Sequence, residues 1–583
     1  MYMGMTGNGL SYWRAETSKE PLQEITVGDL LDQRANEIPE REAIVYSCYP
    51  EYSEALDIRW TYQDYRSNVD EVARGLLALG LQKGEHIAVW SLNMPEWLLL
   101  QMAAAKAGLV LVTIDPAYQG EELTYALKQA DVVALFFMAR MHEHDCRKVV
   151  RSLLTPGLKY GEVSSTELPQ LRYVCLLGAS PSHTSELEDW RPALFREIVA
   201  HGAQISSEAL QQRQATIRPG DPAIIQFTAG TTGTPRGVVL THYSILNNAI
   251  DFATRWGVSS ADSCCTAIPF FYVSGCILAA LGSLYKGTTL HPLIAFDPAR
   301  ALQICSVERC TLLGATPDML SAMLHHPEFS NYDLSSLRAV VSGGAPVAAQ
   351  LMEEVKERTG ADVAIVFVQT EASAAITLTR PDDPFELKAA TVGVPLPHIE
   401  VKVINPATGK LVACGEPGEL CCRGYLVMQG YYNMPDRTAE SIDGDGWLHT
   451  GDLVSIDTHG YVSIIGLLKE MIVRGGETIF PREIEAVLSS HSAIADVYVL
   501  GIPDRFFGEE LLAVIRAHQP GTLSEEDVRS YCQGRLSRQK IPRYFQFVES
   551  FPMTTSGKIQ KFVLREQAIK ALGLESTIAA QTV

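Results

Sequence analysis

Phe227-Thr228-Ala229-Gly230-Thr231-Thr232-Gly233-Thr234-Pro235-Arg236-Gly237, following the apolar run Ala223-Ile224-Ile225, packs three glycines and four threonines into eleven residues. Such a loop is suited to holding phosphate. Glycines let the backbone turn tightly and approach an anion, threonine hydroxyls and main-chain N–H groups supply donors, and Arg236 adds fixed positive charge. The spacing fits neither the Walker loop G-x-x-x-x-G-K-[ST] nor the dinucleotide fingerprint G-x-G-x-x-G. The plain alternative is a polar Gly/Thr hairpin with no ligand.

Outward from this loop, strand-like His86–Trp90, helix-like 96–107 and strand-like 109–114 are bounded by Gly84, Gly108 and Pro116. This βαβ rhythm recurs through about residue 380 and predicts twisted sheets covered by helices. From 393 to 466 it gives way to short β-rich runs, at 399–404, 418–422 and 461–465, separated by glycine and proline turns. After Lys469 a separate α/β unit of about 110 residues follows, with helix-like 481–490 and 525–536 around strand-like 495–501. The expected fold class is therefore α/β, with a large N-terminal domain (1–466) of helix-covered β-sheets. That domain includes a small β-barrel-like subdomain at about 393–466, and a small α/β C-terminal domain (467–583) follows.

The chain of 583 residues is too long for one core and predicts about three or four folding units. With 46% apolar and 20% charged residues it has a globular composition, and its formal charge of −20 excludes nucleic acid and acidic membrane surfaces as expected partners. Residues 1–12 lack a basic patch followed by an apolar core, so no signal peptide is expected. No membrane span is expected either. The most apolar candidate, 98–114, is interrupted by Gln101 and Lys106 and reads as a buried helix followed by a strand.

Twelve cysteines in such a chain read as buried thiols in a reducing compartment, which places the protein in the cytoplasm. Cys264-Cys265 and Cys421-Cys422 lack the C-x₂-C spacing of a zinc site. His142, His144 and Cys146 alternate after an apolar run and could place three ligands on one side; the alternative is a polar loop without metal.

Further motifs occur in order: Phe367-Val368-Gln369-Thr370-Glu371, Trp447-Leu448-His449-Thr450-Gly451-Asp452, Lys469-Glu470 with Arg474-Gly475-Gly476-Glu477, and Pro552-Met553-Thr554-Thr555-Ser556-Gly557-Lys558. With the phosphate loop they make the chain resemble, over nearly its whole length, the adenylate-forming superfamily of acyl-CoA synthetases, carrier-protein adenylation domains and luciferases. Ser342-Gly343-Gly344-Ala345-Pro346, Gly415-Glu416-Pro417-Gly418-Glu419, Gln429-Gly430-Tyr431-Tyr432-Asn433 and Gly501-Ile502-Pro503-Asp504 are most similar to the fatty-acyl and medium-chain acyl-CoA ligases.

The resemblance implies a large AMP-binding domain and a mobile C-terminal domain that rotates about Lys469. It implies ATP/AMP, Mg2+ and coenzyme A as cofactors and a hydrophobic carboxylic acid as substrate. Glu371 would hold Mg2+, while Thr370 and the loop residues Thr228, Thr231 and Thr232 hold phosphate. Gly344, Ala345, Pro346, Phe367, Val368 and Gln369 would line the nucleotide, and Asp452 would accept the ribose hydroxyls. Lys558 would neutralise charge developing during adenylate formation. Tyr272, Val273, Gly343 and Ala372 would face the acyl group. Their apolar or small character suits a hydrophobic acid over an amino acid, whose ammonium needs a carboxylate partner. Gly475 and Gly476 would face the CoA tunnel.

Four departures fall on nucleotide-handling positions. The family usually has Ser at Ala229, Lys at Arg236, Tyr-Gly at Phe367-Val368 and Gly-Arg-x-Lys at Gly466-Leu467-Leu468-Lys469. Leu467 removes charge-assisted hydrogen bonds worth about 1.5–3 kcal/mol apiece. The expected reaction is CoA-thioester formation through an acyl-adenylate, with the thioester-forming half more secure than the adenylating half. Three alternatives stay open: an acyl-adenylate:CoA acyltransferase fed by a separate adenylating enzyme, a ligase loading a carrier-protein thiol, and a non-catalytic acyl-nucleotide binder. A homodimer is compatible with each.

Overall fold

The loop-bearing strand Pro222–Thr228 lies inside an eight-stranded sheet, parallel to Val110–Ile114 on one side and antiparallel to Arg236–Thr241 on the other. The computed structural model describes residues 9–14, 20–47, 49, 57–141, 144–154, 162–178, 192–228, 235–474, 477–553 and 559–574, without the side chains of 469, 477 and 478. From edge to edge the sheet runs Ala193–Leu194, Tyr173–Leu177, Val132–Met138, His86–Trp90, Val110–Ile114, Pro222–Thr228, Arg236–Thr241 and Gly430–Tyr431. Its central strands are apolar because both faces are covered: every residue of His86–Trp90 and Val132–Met138 is buried.

The apolar run read as helix then strand is that. Helix Pro95–Ala107 buries all its residues but Glu96 and stops at Gly108, whose φ of 70° is the left-handed cap that glycine favours. Lys106, 2% exposed in that helix, is tied to Asp32 and Asp70, each at 2.6 Å. Pairing satisfies a charge that burial alone would penalise heavily.

A second, nine-stranded sheet runs Val394–Pro395, Ala374–Leu378, Asp362–Gln369, Ala339–Gly343, Leu312–Gly314, Ser263–Thr266, Thr289–Pro292, Glu42–Tyr46 and Ile58–Thr61. Helix His242–Arg255 leaves the first sheet through a Thr241–Ser244 capping box and joins it to the second. Its Asn248 amide grips both backbone groups of Ala375, accepting at 2.9 Å and donating at 2.8 Å.

The third sheet is antiparallel and five-stranded: Tyr12–Arg14, Ile399–Ile404, Gly418–Gly424, Leu448–Ile456 and Val462–Leu467. Its first strand comes from the N-terminal segment. One hydrophobic cluster runs through all three sheets and ends at Val462. Beyond it, Ile472–Arg474, Glu477–Ile479, Ile494–Asp504, Gly508–Ala517 and Tyr544–Phe547 form a separate sheet. Two small clusters of its own, one containing Ile472 and Ile515 and the other Ile502 and Leu564, pack against it.

No helix among the described residues is long and apolar enough to cross a membrane. Every described cysteine is a free thiol, and most are buried. Of the triplet proposed for metal, His142 lies outside the described residues. His144 is exposed while Cys146 is fully buried at the head of helix Cys146–Ser152, so these two stand in different surroundings.

Candidate active site

Strand Asp362–Gln369 ends in a single 3₁₀ turn, Thr370–Ala372, that carries Glu371. Two non-glycine residues with positive φ follow, Ser373 at 54° and Ala374 at 115°. Such backbone persists only where its surroundings fix it. Here the Ser373 hydroxyl donates to Leu426 O at 2.7 Å, Met428 N–H donates to Glu371 O at 2.9 Å, and Asn248 clamps Ala375. Thr370 and Glu371 are left half-buried, with Ala372 fully buried beneath.

Glu371 Oε1 accepts a hydrogen bond from Tyr431 Oη at 2.8 Å, and the Arg236 guanidinium stacks 5.2 Å over the same ring. Burial, then the Glu371 carboxylate, pushes Tyr431 up to about 12, so the phenol keeps its proton and remains a donor. Arg236 opens the strand that follows the phosphate loop, opposite Thr228. Cation, phenol and carboxylate thus stand in a row from the loop's stem to Glu371. Tyr431 was legible only as part of a motif, because its role depends on the edge strand Gly430–Tyr431 pairing with Val238 and Val239. Ala229, Thr231 and Thr232 lie outside the described residues.

Beside this turn, strand Ala339–Gly343 runs parallel to Asp362–Gln369. A Cβ on Gly343 would lie 2.2 Å from Val366 O, so only glycine fits there. The chain then turns at Gly344, φ 77°, and leaves Gly344, Ala345 and Pro346 exposed. Phe367 and Val368 are half-buried and pack on the main cluster, opposite Thr377 and Ala375. The branched Val368 side chain is therefore accommodated by the sheet.

Gln369 Nε2 donates to Thr450 O at 3.1 Å, joining this sheet to the strand that bears Asp452. Thr450 Oγ1 donates to Leu420 O at 2.8 Å and accepts from Asp452 N at 3.1 Å. Asp452 lies directly opposite Leu467 on the neighbouring strand. Three buried polar atoms without a protein partner, Gln226 Oε1, Ser342 Oγ and Gln369 Oε1, belong to residues near the C-terminal ends of strands around this cleft. Unsatisfied buried acceptors and hydroxyls at strand ends fit a polar ligand.

On the acyl side, Phe271 O accepts from Gln226 Nε2 at 2.5 Å and from Thr113 Oγ1 at 3.2 Å, pinning Phe271-Tyr272-Val273 to the first sheet. The Phe271 and Tyr272 rings lie 4.1 Å apart, and Val273 is buried. A π-helix, Ser274–Leu281, follows; sequence reading missed it, because an apolar run does not distinguish helix types. Tyr118 was also missed. Burial, Asp115 and Glu122 raise its phenol, with the nearby Tyr272 adding to them.

Lys469 lies in the 3₁₀ turn Leu468–Glu470 between the hydrophobic clusters, its side chain undescribed. Gly475, Gly476 and Lys558 lie outside the described residues. The loop that carries Lys558 is closed at its base by pairing of Met553 with Ile559 and by Gln560 N–H donating to Pro552 O at 2.8 Å.

Known proteins resemble this chain over nearly its whole length. Residues 31–432 match the family described as AMP-binding enzyme, and residues 483–558 match the AMP-binding enzyme C-terminal domain. The chain is 42% identical to the putative acyl-CoA synthetase YngI of Bacillus subtilis, covering 95% of this chain and 98% of that protein. It is 36% identical to the human mitochondrial medium-chain acyl-CoA ligase ACSF2, covering 97% and 91%. Among solved structures it is similar to ATP-bound MatB from Rhodopseudomonas palustris, at 26% identity and a TM-score of 0.77, covering 93% and 98%.

Proposed function

The chain belongs to the AMP-binding enzyme family, and from that premise we propose that it binds ATP, coenzyme A and a hydrophobic carboxylic acid of medium-chain type. It is an acyl-CoA ligase that works through an acyl-adenylate. The observation that best supports the site is the Gln369–Thr450 hydrogen bond, which holds the Glu371 turn and the Asp452 strand to opposite sides of one cleft. That every described cysteine is a free thiol supports placing the enzyme in a reducing compartment, the cytoplasm.

A carboxylate is a poor electrophile because its charge is delocalised, so its oxygen first attacks the α-phosphorus of ATP and pyrophosphate leaves. Asp452 accepts the ribose hydroxyls, Gly344 to Pro346 and Phe367 to Gln369 wall the nucleotide, and Thr228, Thr231, Thr232 and Thr370 hold phosphate oxygens. The Glu371 carboxylate offers hard oxygen donors beside the Thr370 hydroxyl, one oxygen steadied by Tyr431, and that set fits Mg2+. When bound, Mg2+ neutralises phosphate charge. Lys558 adds a cation from the C-terminal loop. The C-terminal unit then turns about Lys469 and brings Gly475 and Gly476 to the pantetheine arm. The CoA thiolate attacks the acyl carbon, the acyl–phosphate bond breaks, and AMP leaves. Tyr272, Val273, Gly343 and Ala372 border the acyl group and offer it no charge.

Replacing Tyr431 by phenylalanine keeps the ring under Arg236 and removes only the hydrogen bond to Glu371. The Mg2+ concentration for half-maximal adenylation rises about two- to tenfold, the worth of one such bond, with KM for the acid unchanged. The overall reading is tested by mass-spectrometric detection of CoA thioesters across a panel of hydrophobic acids, each supplied free with ATP and as its preformed adenylate. Thioesters form from both. Product from the adenylates alone would replace a ligase with an acyltransferase.

A further inference from the structure

The strand bearing Asp452 pairs with Gly418–Gly424, whose Glu419 is only 8% exposed and uses both carboxylate oxygens. Oε1 accepts from Gly451 N at 3.2 Å, and Oε2 accepts from His449 Nδ1 at 2.9 Å. A carboxylate removed from water persists only when its charge and lone pairs are met. His449 meets the charge: the Cys421 sulfur at 3.6 Å and the Glu419 carboxylate push it up to about 10. Burial raises Cys421 in turn, and at 2.9 Å against 3.6 Å the Glu419 carboxylate is the nearer partner of the imidazole. Beyond the ring, Asp443 Oδ2 lies 3.6 Å from Nε2, with Lys402 Nζ 3.9 Å from the same carboxylate.

Glu419, Cys421 and His449 hold their ligand atoms within 4.8 Å of one another, a spacing a cation could use. The direct Nδ1–Oε2 hydrogen bond closes the group as an ion pair instead, since metal ligation needs the unprotonated nitrogen.

This pair grips the part of the Asp452 strand that slips in its pairing with Gly418–Gly424. Register slips between Glu419 and Cys421, and again between Leu453 and Val454, so irregularities bracket Gly451 and Asp452. Gly451 itself sits at φ 72°. A bulged, left-handed turn re-aims the side chain that follows it, so its direction depends on its anchors. Glu419 anchors the Gly451 N–H, and Thr450 is anchored on either side by Leu420 and Gln369.

We propose that Glu419 and His449 are positioning residues that aim Asp452 at the ribose hydroxyls of the nucleotide. The inference rests on Asp452 being the ribose acceptor, so its test separates the two ideas. Binding of ATP and of 2′,3′-dideoxy-ATP is measured by calorimetry for the full-length wild type and for Glu419→Gln, His449→Gln and Asp452→Ala. Wild type prefers ATP by about tenfold or more, the worth of charge-assisted hydrogen bonds, and Asp452→Ala loses that preference. Glu419→Gln and His449→Gln lower the preference about fivefold or more while binding dideoxy-ATP as wild type does, which also reports that they are folded. If both nucleotides weaken equally, or the preference stays intact in these two variants, the positioning role is overturned. A preference that survives Asp452→Ala overturns the ribose reading itself, and the proposal with it.

Discussion

Alanine in place of Lys558 slows acyl-adenylate formation by about 10²- to 10³-fold, the usual loss when one preorganised group facing developing transition-state charge is removed. Conversion of a supplied acyl-adenylate to thioester falls far less, because in the proposed mechanism that half-reaction uses Gly475 and Gly476 in place of Lys558. Pyrophosphate exchange reads the first half, and CoA consumption from synthetic adenylate reads the second. Equal losses in both would show that Lys558 serves the fold or both conformations, and would remove the case for two faces of the C-terminal unit. Met553 and Ile559, which flank the segment containing Lys558, are paired with one another.

Leu467→Arg accelerates adenylation about ten- to two-hundred-fold, provided the missing guanidinium is what limits that step. The sheet gives the reason: Leu467 and Asp452 face one another across antiparallel strands, and Leu467 is half-buried. A cation there would neighbour the Asp452 carboxylate, the proposed ribose acceptor. Because cross-strand opposite charges also help the sheet modestly, the substitution does not weaken the fold. The readout is kcat/KM for ATP in pyrophosphate exchange. An unchanged value would mean that neighbouring groups already compensate for the leucine.

Much of the architecture was legible because it is local. Strand His86–Trp90 and strand Ile399–Ile404 match their expected bounds, and helix Pro95–Ala107 begins one residue earlier than its expected start. Apolar periodicity and glycine or proline punctuation set such elements within a few residues of sequence. What escaped is long-range. Strand Tyr12–Arg14 joins Ile399–Ile404 across almost four hundred positions, and no local pattern announces that pairing. Tyr431 meets Glu371 only through an edge strand, and His449 meets Glu419 only through a bulged antiparallel ladder. Glu371 and Asp452 were singled out from motif order; the neighbours that hold them arise from sheet register. The absence of charge-bearing Arg at Leu467 was visible in sequence, whereas its place opposite Asp452 needed the fold.

The apolar clusters of the C-terminal sheet are closed on themselves, and none among the described residues interleaves with the large one. The proposed swivel at Leu468–Glu470 therefore leaves each cluster intact and breaks links such as the hydrogen bond from Arg482 to Ile464 O. The proposed reorientation between half-reactions would thus leave the separate cores undisturbed. If Leu468–Glu470 is the hinge, mutations that loosen it alter turnover without moving the melting curve, so speed and resistance to heat become separately tunable.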